Sequence, residues 1–395
     1  MTTSTKPASL WSPTFTLLCA AQFLGYAQNY VLQPTFPLYV IHLGGTPSVV
    51  GVVIACFGVT SVLFRPFIGN WADRWSESGV LILGLFAQAI SLLFCLIPFV
   101  GATMFGNGLR GIGWAGMTAG GYTLLATSAP AARRGEASGY YRGVQSSAMI
   151  FFPAVALWII DAPFGGFQAA FIFAMAMAFL GGGVGIALSR HTSSHVSRSL
   201  PAASTEPWWR DIINVFDRSI ALPAILLFAL NLSVPCFTSF FVIYARDIGI
   251  SHFEWYFVVT GVTSLFARPL LGRLSDKIGR ARSLAAAFTL ETVSLLLLPL
   301  ITNLAGAILS GVMYFMGSAI GGATIFALAI EKAPPERRGR AMASFSVSLP
   351  LSSGLGGLLS GVGIDVMGFT WMFLTTAALC ALGLALTVRY WAQLK

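Results

Sequence analysis

Four hydrogen-bonding side chains, Gln22, Tyr26, Asn29 and Gln33, recur at i, i+4, i+7 and i+11 within an otherwise apolar run. That spacing stacks them on one face of a helix. A stripe of amides and a phenol holds a solute by hydrogen bonds; it offers neither a metal site nor a nucleophile. Asn231, Pro235 and Thr238 form a comparable stripe much later in the chain. Arg110, with Trp114 one turn beyond it, adds a cation beside an apolar wall, suited to holding an anion or carrying a coupling charge. Ordinary hydrogen bonding between helices is the competing reading of both stripes, and a purely structural role that of the arginine.

Acids are scarce. Glu291 lies in the middle of an apolar run, where an ionisable side chain marks a candidate proton path; a packed, neutral carboxylic acid is the alternative. Asp247 and Glu254 flank another apolar run and are further candidates for proton relay. No GxxxxGK[ST], HExxH, C-x-x-C or GxSxG pattern occurs, so the sequence predicts neither ATP use nor an enzyme. Cys19, Cys56, Cys95, Cys236 and Cys380 fall in apolar runs without paired spacing, which indicates neither disulfides nor zinc. His191 and His195 stand four apart without an acidic or thiol partner and read as part of a solvated linker. No cofactor or metal is expected.

Apolar elements must position these groups. With 56% hydrophobic and 9% charged residues among 395 and a mean hydropathy of +0.78, the chain lacks the polar side chains to cover a water-soluble globule. Crossing about 30 Å of hydrocarbon takes roughly 20 residues as a helix. Such runs lie near 13–36, 48–70, 79–100, 103–127, 139–161 and 167–189, then near 218–243, 252–272, 282–301, 304–330, 341–364 and 369–391. They lack period-2 alternation and are too long for barrel strands. The expected architecture is all-α with twelve membrane spans: a first bundle over 1–189, a linker over 190–217, and a second bundle over 218–395.

An even number of spans puts both termini on one side. Of the 23 basic residues, only Arg246 falls in a loop on the opposite side, and Arg65, Arg110, Arg142 and Arg268 lie within spans. The remaining bases predict cytoplasmic termini, because short cytoplasmic loops retain Lys and Arg. The net charge of +9 is divided among short loops, which points to anionic lipid rather than nucleic acid as the charged partner. Met1 to Ser12 lack a basic start and a small-residue cleavage site, so the first span is expected to stay attached.

The chain is also one unit written twice. RPFIGNWAD, Arg65 to Asp73, returns as RPLLGRLSD at Arg268 to Asp276, and APAARRG at Ala129 is answered by APPERRG at Ala333. By this displacement Arg110 corresponds to Tyr314 and Glu291 to Gln88, so a site between the halves is chemically asymmetric, with Tyr314 expected to face Arg110. Internal repeats of this kind place function at their interface. In the repeated loops, Gly69 and Gly272 are expected to give tight exits from spans. Asp73 and Asp276 would cap the next helices, and the bases that follow, Arg74 and Arg280, would meet helix carbonyl ends, forming a cytoplasmic gate together with Arg65 and Arg268.

The run G-x-L-x-D-K-x-G-R-x-R, Gly272 to Arg282, resembles the signature loop of the major facilitator superfamily, and the first-half copy keeps Gly69, Asp73 and Arg74 but reads WSES where a Gly-Arg would follow. Short loops, overall length and the RPxxG-D pattern are closest to the bacterial drug and metabolite efflux permeases of that family. The resemblance implies two pseudo-symmetric six-helix bundles around a cavity bordered by spans 1, 4, 7 and 10, in a monomer of the bacterial inner membrane. It further implies a secondary transporter working by alternating access, exporting small amphipathic drugs or metabolites against protons. In such permeases a span 4 Arg usually stands four residues before the Gly of G-x-G; here that place holds Asn107. A G-P-x-x-G-G run in span 5 and an acid in span 1 are absent. Two other readings stay open: an importer of a small organic anion or sugar-like solute, and a non-transporting membrane sensor on the same scaffold.

Overall fold

A computed structural model describes residues 11–130, 133–191, 220–333 and 338–394, and among them every regular element is helical. Helix α1, Pro13–His42, opens where the Ser12 side chain accepts from the Phe15 N–H and Pro13 takes the first helical position, the arrangement in which a missing proline N–H costs nothing. Helices α2 (Pro47–Leu63) and α3 (Arg65–Arg74) form one span bent by 43°, as expected where Pro66 cannot donate to the preceding turn. Helices α4 (Glu77–Cys95), α5 (Val100–Ser128), α6 (Arg134–Asp161) and α7 (Phe167–His191) complete the first half.

The second half starts with a broken span. Helix α8 (Ala221–Leu232) ends before Pro235, a π-helical turn covers Cys236–Phe240, and α9 (Phe241–Asp247) resumes. Helices α10 (Glu254–Ile278), α11 (Arg280–Leu297) and α12 (Leu304–Lys332) follow. Helix α13, Arg338–Arg389, is interrupted at Gly368, whose φ of 82° only glycine adopts without strain, and so supplies two crossings; a short α14, Trp391–Leu394, ends the described chain.

The described helices group into twelve segments in the expected order. Not all are uniformly apolar: among the described residues, α4, α6, α7, the broken α8–α9, α11, α12 and the long α13 are long and apolar enough to cross by composition alone, as is α2–α3 taken as one bent span, while α1, α5 and α10 are diluted by polar and small residues. On α4, Leu83, Ile90 and Leu93 are exposed while Leu81, Leu85 and Leu92 are buried, so an apolar outer face meets lipid and another apolar face packs inward. This is a multi-pass membrane protein.

Within the first half, α1 packs on α6 and α7, and α4 on α5 and α7; in the second, α12 packs on α10 and α11, and α13 on α8 and α11. The halves meet along α2 with α13 and α6 with α10. We call the face where α1 begins the near face and the opposite one the far face. The packed core reports the shape between them. One cluster built on Phe15, Leu85 and Tyr141 belongs to the first half alone, and another on Leu230, Phe288 and Ile325 to the second. A third joins Val31, Phe36 and Val53 to Phe237, Phe241 and Phe373. The halves are fused by a common core toward the far face and hold separate cores toward the near face.

Two expectations for the repeated loops need correction. Gly69 lies inside α3 and Gly272 inside α10, so neither makes a tight exit; Gly279, at φ 87°, turns the chain between α10 and α11. Asp73 and Asp276 lie in the last turns of α3 and α10, so they do not cap the following helices. The cap of α4 is Ser76, whose side chain accepts from the Gly79 N–H. The linker beyond His191, with His195, lies outside the described residues, whereas Arg190 and His191 end α7; the side chains of Asp73, Arg74, Arg268 and Asp276 also lie outside the described residues.

Candidate cavity between the two halves

A cavity of about 1150 Å³ lies between the halves, lined from α1, α2, α3, α5 and α6 on one side and from α8, the π turn, α10, α12 and α13 on the other. Tyr26, Asn29 and Gln33 of the first stripe, Asn231, Pro235 and Thr238 of the second, and Arg110 with Trp114 all line it. Helical periodicity therefore put most of the candidates on one surface.

Arg110 is 5% exposed and is held by neutral groups. Its Nε donates to Asn107 Oδ1 at 2.9 Å and its Nη1 to Asn29 Oδ1 at 2.8 Å. The Asn107 amide in turn donates to the Val53 carbonyl at 2.7 Å, tying the guanidinium through α5 to α2. The cation lies 4.3 Å from the Phe57 ring centre and 5.3 Å from that of Phe36, close enough for a ring quadrupole to attract it. Among the described residues it forms no ion pair. Tyr26 and Trp114 meet edge to face at 4.8 Å and Phe57 packs on Trp114 at 6.0 Å, which gives the site an aromatic wall.

Two of the expected cavity residues are elsewhere. Gln22 shares the stripe's helical face but is fully buried, its Nε2 donating to the Met117 carbonyl at 3.1 Å; α5 crosses α1 there and closes the cavity's edge. Tyr314 is fully buried as well. Its hydroxyl lies 2.9 Å from Ser233 Oγ, and its ring stacks on Phe237 at 3.9 Å. It braces the break in span 7 instead of facing Arg110.

The acid candidates also lie off the cavity. Glu291 is fully buried on α11 against Gly317 of α12, with Cys380 Sγ 3.9 Å from its Oε2. Asp247 ends α9 at the far face, and Glu254 opens α10 there, 3.3 Å from His252 Nδ1. Of the gate residues, Arg65 lines the cavity, whereas Arg280 pairs with Glu331 at the end of α12, within its own half.

The sequence reading did not assign several important groups. Arg142 lines the near-face end of the cavity, its guanidinium 4.5 Å from the centre of the Phe326 ring across the gap between halves; its place nine residues into α6 was visible, but its partner was not. The far-face seal was also missed. Arg246 of α9 donates to both carboxylate oxygens of Asp161 at the end of α6, at 2.8 and 3.0 Å. Asp365 Oδ2 accepts from the Ser48 N–H at 2.9 Å, placing a carboxylate from the second half at the N-terminus of α2. Glycines bring α2 and α13 together: a Cβ on Gly51 would stand 2.5 Å from the Gly357 carbonyl oxygen, and one on Gly361 2.3 Å from that of Pro47.

Comparison with known proteins agrees with this architecture. A family model described as Major Facilitator Superfamily matches residues 18–262 and 212–393. Multidrug resistance protein 2 of Bacillus subtilis is 24% identical over 269 residues, 66% of this chain and 65% of that one. Quinolone resistance protein NorA of Staphylococcus aureus is 26% identical over 237 residues, 57% and 56% of the two chains. This chain thus spans less than two thirds of either relative. A solved POT family transporter in complex with 5-aminolevulinic acid shares the fold at a TM-score of 0.79 and 15% identity, covering 96% of each chain.

Proposed function

Since this chain belongs to the major facilitator superfamily, we propose that it is a secondary transporter working by alternating access, exporting small amphipathic drugs or metabolites in exchange for protons. The observation that carries the reading is the cavity shared by both halves, sealed at the far face by the Arg246–Asp161 and Asp365–Ser48 contacts while the cores separate toward the near face. Such a cavity gives a solute access from one side only. Opening the far face and closing the near one would pass it across, provided the two states lie within a few kcal/mol. The relatives' names support export as the direction. The basic near-face loops support cytoplasmic termini in a bacterial inner membrane, and we take the monomer as the working unit.

Locking the far face tests the mechanism. A short bifunctional thiol crosslinker joining cysteines placed at Ser48 and Asp365 is expected to stop flux in proteoliposomes, with flux returning when the linker is cleaved. Undiminished flux through the crosslinked protein would remove alternating access.

For coupling we propose Glu291, the carboxyl buried most deeply among the described residues. It packs against Gly317 of α12, one turn along from Tyr314, whose bond to Ser233 reaches the break in span 7, so proton binding at Glu291 can bias the bend of a helix that lines the cavity. Glu291→Gln is expected to leave substrate binding intact and abolish the response of flux to an imposed pH gradient. A preserved gradient response would exclude this residue.

A further inference from the structure

The geometry points to an amphipathic organic anion as the substrate class: a molecule bearing one carboxylate-type group on an aromatic or aliphatic body. This inference rests on the transport reading above and narrows it. Among the described residues, the cavity wall carries three cationic side chains, Arg65, Arg110 and Arg142, and no Asp or Glu. A cationic amphiphile would therefore bring like charge into a partly dry site, which is costly. An anion meets the opposite sign from mouth to base.

Arg110 supplies the specific contact. Asn107 and Asn29 hold its Nε and Nη1, respectively, with neutral oxygens, which fix the guanidinium without cancelling its charge. Among the described residues Nη2 makes no hydrogen bond, and the arginine lines the cavity. A buried guanidinium in a membrane span takes an anion, carbonyls or water; here the two amides supply part of that shell and the cavity the remainder. One acceptor oxygen on Nη2 completes it, with hydrogen bonding strengthened by charge. The aromatic wall of Tyr26, Phe57 and Trp114 beside it accommodates an apolar body. Arg142, exposed at the near-face end, raises the local concentration of anions at the entrance.

The test uses the full chain in lipid nanodiscs with three probes of one shape: 2-naphthoate, neutral 2-naphthamide, and the cation N,N,N-trimethyl-(2-naphthylmethyl)ammonium. Binding is followed by tryptophan quenching and by thermal stabilisation. Naphthoate is expected to bind saturably, with affinity about tenfold or more weaker in Arg110→Gln, substantially restored in Arg110→Lys, and measurably weaker in Arg142→Gln, a change at an exposed position that leaves folding untouched. Amide or cation binding as tightly as naphthoate overturns the assignment, as does naphthoate affinity unchanged in both arginine variants. Flux in proteoliposomes separates the two readings. Movement of cationic amphiphiles without naphthoate sinks the anion assignment and spares transport, whereas saturable, arginine-dependent naphthoate binding with no vectorial movement of any probe spares the anion site and sinks transport.

Discussion

Valine in place of Gly51 is expected to cut solute flux by about tenfold or more while leaving the protein folded. The Cβ of any residue at this position would stand 2.5 Å from the Gly357 carbonyl oxygen and 3.0 Å from Leu358 Cα. Both are backbone atoms, so no side-chain rotation relieves the overlap. The helices must separate, and the contact that α2 makes with α13 at the far face opens. Overpacking of this kind costs about 1–3 kcal/mol, and about 1.4 kcal/mol changes a population ratio tenfold. Each half keeps its own core, built on residues such as Leu85 and Phe288, so the penalty falls on the far-face-closed state and not on folding. The readouts are crosslinking yield between positions 48 and 365, expected to collapse, and thermal unfolding, expected to change little. Gly183→Ala on the lipid-facing side of α7, where an added Cβ meets nothing within 4 Å, is the control. Flux that survives Gly51→Val would mean that the close approach of α2 and α13 is not needed for transport.

How much of this was legible before the structure follows from what one-dimensional patterns encode. Hydropathy and the repeat of RPxxG-D determine spans, halves and the interface between them, because each depends on composition and displacement alone. Periodicity found the face containing Tyr26, Asn29 and Gln33, since residues three and four apart share a helical side whatever surrounds them. It could not tell that α5 crosses that face at Gln22. Displacement matched Tyr314 to Arg110, but the halves differ where it matters: Pro235 breaks span 7, the break brings Ser233 within 2.9 Å of the Tyr314 hydroxyl, and the phenol turns away from the cavity. Pairings between halves, such as Arg246 with Asp161 or Arg142 with Phe326, join residues far apart in sequence and leave no local spacing to read.

Asn29 offers the sharpest separation between the charge of Arg110 and its support, because one position changes either at will. Asn29→Leu removes the acceptor for Nη1. A hydrogen bond to a charged group is worth about 1.5–3 kcal/mol, so this variant is expected to unfold at lower temperature and to bind naphthoate more weakly as the guanidinium loses its fixed orientation. Asn29→Asp keeps an oxygen in the same place and adds a negative charge. The guanidinium stays anchored, now by an ion pair, so stability is expected to match or exceed that of the wild type. Anion binding should nonetheless fall at least as far as in Arg110→Gln, since the site's charge has been met from within the protein. Support and charge then move in opposite directions across two substitutions of one residue. Were naphthoate affinity instead to follow thermal stability in both variants, Arg110 would be holding α1 against α5 and the carboxylate would have to bind elsewhere in the cavity.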